Sequence, residues 1–369
     1  MTQSKYLTIE EMVSLPTLSS TNISEDGKNV VFIKNITDWK ANKYINEIWI
    51  YEKDKDKKSL LSLNQEAYSP IWSPNAKYIA YLCATDIGHS KQIQLFVKNL
   101  ENGISVQITN EKEGVNKFKW AINGEGFYYL TNPSTKTDLD NEDYCVIDEE
   151  KLYNSLNYIT LKNSKLNDGQ NPVHSSVYRL IDDNIYIEDF DVSNDGENLV
   201  IVAAPGPSMR EYINRDIYIK KSKDGELKKL NRNKLIEGSV YFSPQGNKDK
   251  DYYEFRIQEI TLEIYDLDNG DVLHPLEEHD STLLPIRWTE EGILIRWQDK
   301  TNYRIGILKG NGSVQSLLDF SESFSLDPSI TRDGKHFTCQ LALKNETFEV
   351  YLDNKRITNE NSLFEGKLR

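Results

Sequence analysis

The chain has 369 residues, 38% hydrophobic and 28% charged, which supplies enough apolar material for a buried core and excludes global disorder. Its formal net charge of -14 argues against a nucleic-acid partner and against an anionic membrane, because both would repel a chain of that sign. Cys83, Cys145 and Cys339 lie far apart with no CxxC spacing, which argues against a zinc site or a disulfide framework, and reduced thiols fit a cytoplasmic protein.

Met1 to Met12 contains no apolar signal core, and the longest apolar run, Leu199 to Ala204, is too short to span a bilayer. The first element is a short helix. Thr8-Ile9-Glu10-Glu11 reads as a capping box, the helix runs through Met12 and Val13 to about Leu15, and Pro16 closes it.

Beyond it the chain repeats. Trp72-Ser73-Pro74-Asn75-Ala76-Lys77-Tyr78-Ile79 reads as strand, tight turn, strand, with Ser73 bonding back to the turn backbone and Pro74 presetting its φ. The same pattern returns at Ser24-Glu25-Asp26-Gly27, Ala121-Ile122-Asn123-Gly124, Ser193-Asn194-Asp195-Gly196, Ser243-Pro244-Gln245-Gly246, Thr289-Glu290-Glu291-Gly292 and Thr331-Arg332-Asp333-Gly334. The turn-opening residues are 49, 48, 72, 50, 46 and 42 residues apart, and five of these six intervals match one four-stranded blade. Third strands follow at Ile48 to Tyr51, Ile93 to Val97, Ile217 to Ile219, Ile264-Tyr265, Ile305 to Leu308 and Val350 to Leu352. Short fourth strands include Val106 to Thr109 and Arg356 to Thr358. The Lys53, Lys55, Lys57 and Lys58 cluster, alternating with Asp, marks a solvated hairpin tip.

The pattern predicts an all-β fold: a seven-bladed β-propeller of four-stranded antiparallel blades with a short N-terminal helix. The expected organisation is an N-terminal helical arm over 1–20, the propeller over 21–358 and a linker stub over 359–369. The long interval places an insertion at about 131–176 in blade three, with a helix-like patch from Asp148 to Tyr158. The third strand of that blade is assigned to Val177 to Leu180, with Tyr158 to Leu161 as the competing choice. Lys248 to Asp251 lengthens the first hairpin of blade five. No strand remains at either end to complete the opposite terminal blade, so blades one and seven are expected to close by face packing.

The chemistry-bearing patterns are few. There is no Gly-x-Ser-x-Gly elbow, no His-Gly-Gly-Gly run, no HExxH among the five histidines, no Walker loop and no dinucleotide fingerprint. No catalytic residue, metal ligand or cofactor is assigned. Asp138 to Asp143 with Glu149 at the twelfth position has the outline of a calcium loop, but Asp143 occupies the place of the glycine that the sharp turn needs. Glu149 and Glu150 are the substrate-binding candidates, since paired carboxylates can hold the free amino end of a peptide; exposed helix carboxylates are the alternative. Trp72, Trp120 and Trp288 sit just before their turns, where packing between blades competes with ligand stacking. His279-Asp280-Ser281 reads as a turn.

Leu7-Thr8-Ile9-Glu10-Glu11-Met12, Leu15-Pro16 and Ile23-Ser24-Glu25-Asp26-Gly27-Lys28-Asn29-Val30-Val31-Phe32 resemble the start of acylaminoacyl-peptidase-type members of the prolyl oligopeptidase family. Pro70 to Tyr81 resembles their blade repeat, which TolB-like propellers share. The resemblance implies a serine peptidase, a hydrolase of the acylaminoacyl-peptidase or dipeptidyl-aminopeptidase kind. In it an α/β-hydrolase domain carries the Ser-Asp-His triad and the propeller admits short peptides by size. The present chain stops at Phe364 to Arg369, about where such a domain would begin, so no triad residue is carried over; the resemblance implies that the helix at Thr8 to Leu15 packs on the hydrolase domain, and the expectation is that it lacks this partner here. The expectation is a non-catalytic, cytoplasmic propeller that gates peptides for a hydrolase domain; the alternative is a freestanding scaffold for protein partners. An independent enzyme is disfavoured because no catalytic cluster recurs at equivalent blade positions.

Overall fold

The computed structural model describes residues 7–362, apart from 63–65, 88–89, 134–152, 162–173, 182–183, 222–224, 231–237, 245–251, 256–261, 268, 277–282, 319, 321–322 and 345. The opening helix, α1 (Ile9–Val13), forms for the expected reason: Glu11 N–H donates to Thr8 Oγ1 at 3.1 Å and Thr8 N–H donates to Glu11 Oε2 at 2.8 Å, a reciprocal capping box.

Seven groups of antiparallel strands follow in chain order. Blade one is β1 (Thr17–Ile23), β2 (Asn29–Asp38), β3 (Lys43–Glu52) and β4 (Lys57–Ser62). Blade two is β5 (Ala67–Trp72), β6 (Tyr78–Ile87), β7 (Ser90–Asn99) and β8 (Ser105–Gln107). Blade three is β9 (Val115–Trp120), β10 (Gly126–Thr131), β11 (Leu156–Leu161) and β12 (His174–Ile181). Blade four is β13 (Tyr186–Val192), β14 (Asn198–Ala204), β15 (Asp216–Lys221) and β16 (Lys228–Lys229). Blade five shows three strands among the described residues, β17 (Tyr252–Phe255), β18 (Leu262–Tyr265) and β19 (Val272–Leu273). Blade six is β20 (Leu283–Thr289), β21 (Gly292–Asp299), β22 (Asn302–Leu308) and β23 (Val314–Ser316). Blade seven is β24 (Ser323–Ile330), β25 (Phe337–Leu343), β26 (Glu349–Leu352) and β27 (Lys355–Arg356). The fold is the seven-bladed β-propeller that the repeat pattern predicts. Its first strand begins at Thr17, ahead of the boundary at residue 21 read from the sequence.

A recurring hydrogen-bond set in the repeat turn explains its composition. In blade one, Ser24 Oγ accepts Asn29 N–H at 2.9 Å and donates to Asp26 Oδ1, which in turn accepts Lys28 N–H at 3.0 Å. The same bonds join Ser73, Asn75, Lys77 and Tyr78; Ser193, Asp195, Glu197 and Asn198; and Thr331, Asp333, Lys335 and His336. The hydroxyl and carboxylate oxygens are thereby occupied by turn backbone. The fourth turn residue needs positive φ, +68° at Gly27 and +76° at Gly334; Ala76 adopts the same conformation at +55°.

One strand assignment is corrected. The third strand of blade three is Leu156–Leu161, which pairs with β10 on one side, Tyr128 opposite Tyr158, and with β12 on the other, Tyr158 opposite Tyr178. Val177 to Leu180 therefore belongs to the fourth strand. Leu156 to Tyr158, read as part of a helix-like patch, is extended; the rest of that patch up to residue 152 lies outside the described residues, as does the Lys248 to Asp251 hairpin. Alternation of apolar residues is equally good in both stretches, so only pairing chooses between them.

The chain divides into two compact units, residues 1–84 with 289–369, and residues 85–288. In the first, Leu18, Ile23, Val30, Phe32 and Tyr51 of blade one share a buried cluster with Val350, Leu352 and Ile357 of blade seven. Blades one and seven each hold four strands from their own sequence, so among the described residues no strand is exchanged, and apolar faces join them. In the second unit, Leu130, Leu156 and Leu180 of blade three pack against Ile187, Phe190, Leu199 and Ile201 of blade four.

Candidate functional site

Glu149 and Glu150 lie outside the described residues, as do the acidic run from Asp138 and His279-Asp280-Ser281. Trp72 is only 5% exposed, so it presents no ring face for a ligand. Trp120 packs against Phe127 of its own blade, ring centroids 4.0 Å apart. Packing accounts for both.

A charged cluster stands instead on the first strands of blades three and four, within the unit spanning 85–288. In β9, Lys117 and Lys119 flank the buried Phe118; in β13, Asp189 and Asp191 flank the buried Phe190. Because side chains alternate along a strand, each pair of charges shares one face while the phenyl ring enters the core from the other. Lys117 Nζ pairs with Asp189 Oδ1, and Lys119 Nζ with Asp191 Oδ1 at 2.8 Å. Asp191 Oδ2 also accepts the backbone N–H of Phe242 at 2.6 Å, and Asp189 Oδ1 accepts that of Phe190 at 2.8 Å. Lys119 Nζ lies 5.6 Å from the ring centres of both Phe190 and Tyr241.

The electrostatics follow from that geometry. Burial disfavours the Lys119 charge, but attraction by Asp191 and then Asp189 outweighs it, so the ammonium is held above its ordinary pKa despite repulsion from Arg287. Burial, reinforced by Asp189 and Asp191, pushes the Tyr241 phenol far above its usual range. Lys119 and Tyr241 therefore keep their protons near neutrality. The set contains no nucleophile paired with a base; it can hold and orient charge rather than break bonds.

A neutral counterpart occupies the equivalent positions in the other unit. Asn22 stands two residues before its turn opener Ser24, as Asp191 stands before Ser193. Asn22 Oδ1 accepts the backbone N–H of Trp72 at 2.9 Å and Asn22 Nδ2 donates to Ser329 Oγ at 3.2 Å. Each of these residues thus ties the preceding blade's side chain to the following blade's backbone. Near this seam Ser20, Ser69 and Asp327 take φ of 54°, 48° and 42° at bulges in β1, β5 and β24, each four residues before its turn opener. The Ser20 N–H donates to Asp327 Oδ2 at 2.9 Å, from blade one to blade seven.

The sequence did carry a signal for the charged cluster. Lys117-Phe118-Lys119-Trp120 and Asp189-Phe190-Asp191-Val192 are the same two-residue alternation with opposite charge, 72 residues apart at matching offsets from Ala121 and Ser193. Aligning the repeats on their turns and comparing charge at each offset finds it. A search for catalytic motifs does not.

No family model and no curated protein sequence matches the chain. Among solved structures, an acylaminoacyl peptidase from Pyrococcus horikoshii superposes with TM-score 0.71 at 15% identity, over 99% of this chain and 56% of that one. A prolyl endopeptidase superposes at 0.65 and 13% identity, over 94% of this chain and 49% of that one. The chain thus spans about half the length of these two. The β-propeller domain of the Trilobed protease from Pyrococcus furiosus, described as having an open velcro topology, matches at 0.66 and 15% identity, over 94% of this chain and 99% of that domain. At these identities the shared property is the fold, and the present chain has the β-propeller fold of such a peptidase domain.

Proposed function

We propose that this chain is a non-catalytic propeller that gates and selects short peptides for a serine peptidase of the acylaminoacyl-peptidase or prolyl-oligopeptidase type, in partnership with an α/β-hydrolase domain. The observation that carries the reading is the near-complete match of this chain to about half of an acylaminoacyl peptidase and of a prolyl endopeptidase. The physical logic is steric: an opening that admits an extended peptide and excludes a folded domain protects cellular proteins from the nucleophile behind it. A second observation supports a docking surface for a partner. Ile9 and Met12 of α1 are 82% and 58% exposed, and the neighbouring Trp39, whose indole N–H donates to Ser14 Oγ at 2.9 Å, is 53% exposed. Large apolar side chains grouped in this way suit a docking face.

The reading extends to a TolB-like repeat, a dipeptidyl-aminopeptidase type of specificity and a cytoplasmic location; among the described residues no helix is long and apolar enough to cross a membrane. The test has two parts. The coding sequence past residue 369 should continue in frame into a Gly-x-Ser-x-Gly segment, and that longer product should hydrolyse short peptides while sparing the same sequence inside a folded protein. Turnover by the present chain alone, or a stop codon at that point, would favour an independent enzyme or a freestanding scaffold instead.

A further inference from the structure

Arg215, Arg304 and Arg356 are half-buried arginines that meet oxygen acceptors. Arg215 pairs with Glu188, Arg304 donates to the Phe320 carbonyl at 2.6 Å and lies 3.5 Å from Asp299, and Arg356 lies 3.3 Å from Glu349. Arg296 of β21, also half-buried, does not. Its Nε is buried without an acceptor, and among the described residues its guanidinium forms no hydrogen bond and no ion pair. A guanidinium carries five N–H donors and a permanent charge, and burying any of them without an acceptor costs free energy. The Tyr303 ring, 5.3 Å from Arg296 Cζ, offsets only part of that cost. An apolar side chain of similar volume would serve the fold at least as well.

The surroundings of Arg296 define what its donors suit. Arg296 stands opposite Ile305 and Gln298 opposite Tyr303, so alternation places Arg296 and Tyr303 on one sheet face, with Trp297 and Arg304 on the other. Tyr303 is held at the junction with blade seven. It is bridged to Phe324 of β24, Ser325 Oγ donates to its carbonyl at 3.0 Å, and its ring meets that of Phe324 edge to face, centroids 4.4 Å apart. Phe324 continues into Phe348 at 5.8 Å. All three rings are half-buried, and Gln298, next on the Arg296 face toward the hairpin tip, is exposed, so this face opens to solvent there. A planar donor fork beside partly exposed rings is complementary to a carboxylate carried next to an apolar side chain.

We propose that Arg296, with the rings of Tyr303 and Phe324 beside it, binds the carboxylate of a peptide whose adjoining side chain is apolar. The carboxylate comes from the free C-terminus or from an acidic side chain, and the guanidinium supplies the charge-assisted donors for it. The proposal rests on the reading that the propeller receives peptides.

Calorimetry on this chain measures binding of acetyl-Gly-Gly-Phe as the free acid and as the C-terminal amide, and of acetyl-Gly-Glu-Phe amide, with inorganic phosphate as a competitor. The free acid or the glutamate peptide should bind about tenfold more tightly than the plain amide, the scale of one good charged contact, and the preference should shrink as salt rises. Which carboxylate is preferred distinguishes a terminal from a side-chain source. Arg296→Met removes the charge at similar length; it should unfold at or above the wild-type urea midpoint and bind acid and amide alike. Arg296→Gln provides the same readout should the Met variant fail to fold. Equal binding of acid and amide by the wild type would overturn the proposal while leaving peptide reception intact, and would leave Arg296 for an acidic side chain of a partner domain. Absence of binding by all three peptides would overturn both. An acid preference retained in either variant, a urea midpoint lowered in both, or displacement by phosphate as effective as by the free acid would likewise overturn it.

Discussion

The Oδ1 atom of Asn22 accepts the backbone N–H of Trp72 at 2.9 Å, across fifty residues of sequence. Trp72 is buried, so removing that acceptor leaves a backbone donor without water. Asn22→Ala should destabilise the chain by about 1–3 kcal/mol, the cost of an unsatisfied buried donor, read as a lower urea midpoint. Asn22→Asp should cost less, since the carboxylate still accepts from Trp72 and the Ser329 hydroxyl can turn to donate to it. If Ala and Asp prove equal, the hydrogen bond is not what joins these blades.

Glu360 follows the last strand and is anchored to blade one by Lys34 of β2 and Lys58 of β4. The buried Glu349 carboxylate sets its position, accepting the N–H groups of Glu360 at 2.9 Å and Asn361 at 3.1 Å. Burial alone would raise the Glu360 pKa, but the hydrogen bonds from Lys34 and Lys58 outweigh it and hold the carboxyl below its ordinary value. A group whose folded pKa is depressed stabilises fully above its unfolded pKa and loses that contribution as pH falls through the folded one. Glu360→Gln should therefore lower stability by about 1.5–3 kcal/mol near pH 7, as for hydrogen bonds to charged groups, and the gap should close as pH drops below roughly 4.5, the ordinary glutamate range. Thermal melts of both proteins from pH 7 to pH 3 check this; a gap independent of pH refutes it.

Ala76 occupies a left-handed turn position at φ +55° where blades one, three, four and seven place glycine. Ala76→Gly should stabilise the chain by up to about 1 kcal/mol, the left-handed penalty less the entropy glycine adds to the unfolded state. The reverse change is costlier at Gly27, where an added Cβ would stand 2.3 Å from the His336 ring of blade seven. Gly27→Ala combines strain with a clash at the seam of blades one and seven, so urea melts of the two variants should move in opposite directions.

Cys339 is fully buried, and burial pushes its thiol up to about 12. Reactivity requires the thiolate, so Cys339 should resist alkylation at pH 8 in the native chain and react as the protein unfolds in urea, followed by peptide mass mapping. Rapid native labelling at Cys339 would mean that blade seven opens locally.

Much of the architecture is written in local chemistry. The turn from Ser73 to Tyr78 closes through bonds within five residues, so the residue types alone report it, and seven copies at blade spacing imply the propeller. The capping box at Thr8 and Glu11 is legible for the same reason. What the tertiary structure decided are the relations between distant residues. Tyr158 and Val177 alternate equally well, and only their pairing with neighbouring strands shows which stretch comes third. Lys119 and Asp191 sit 72 residues apart at matching offsets from their turns, which the aligned repeats report, but that the two charges pair is decided only when two first strands stand side by side. The repeat determines where each blade reverses, because that depends on backbone preferences. Where the blades differ, and what those differences can hold, depends on contacts across the fold that no local pattern encodes.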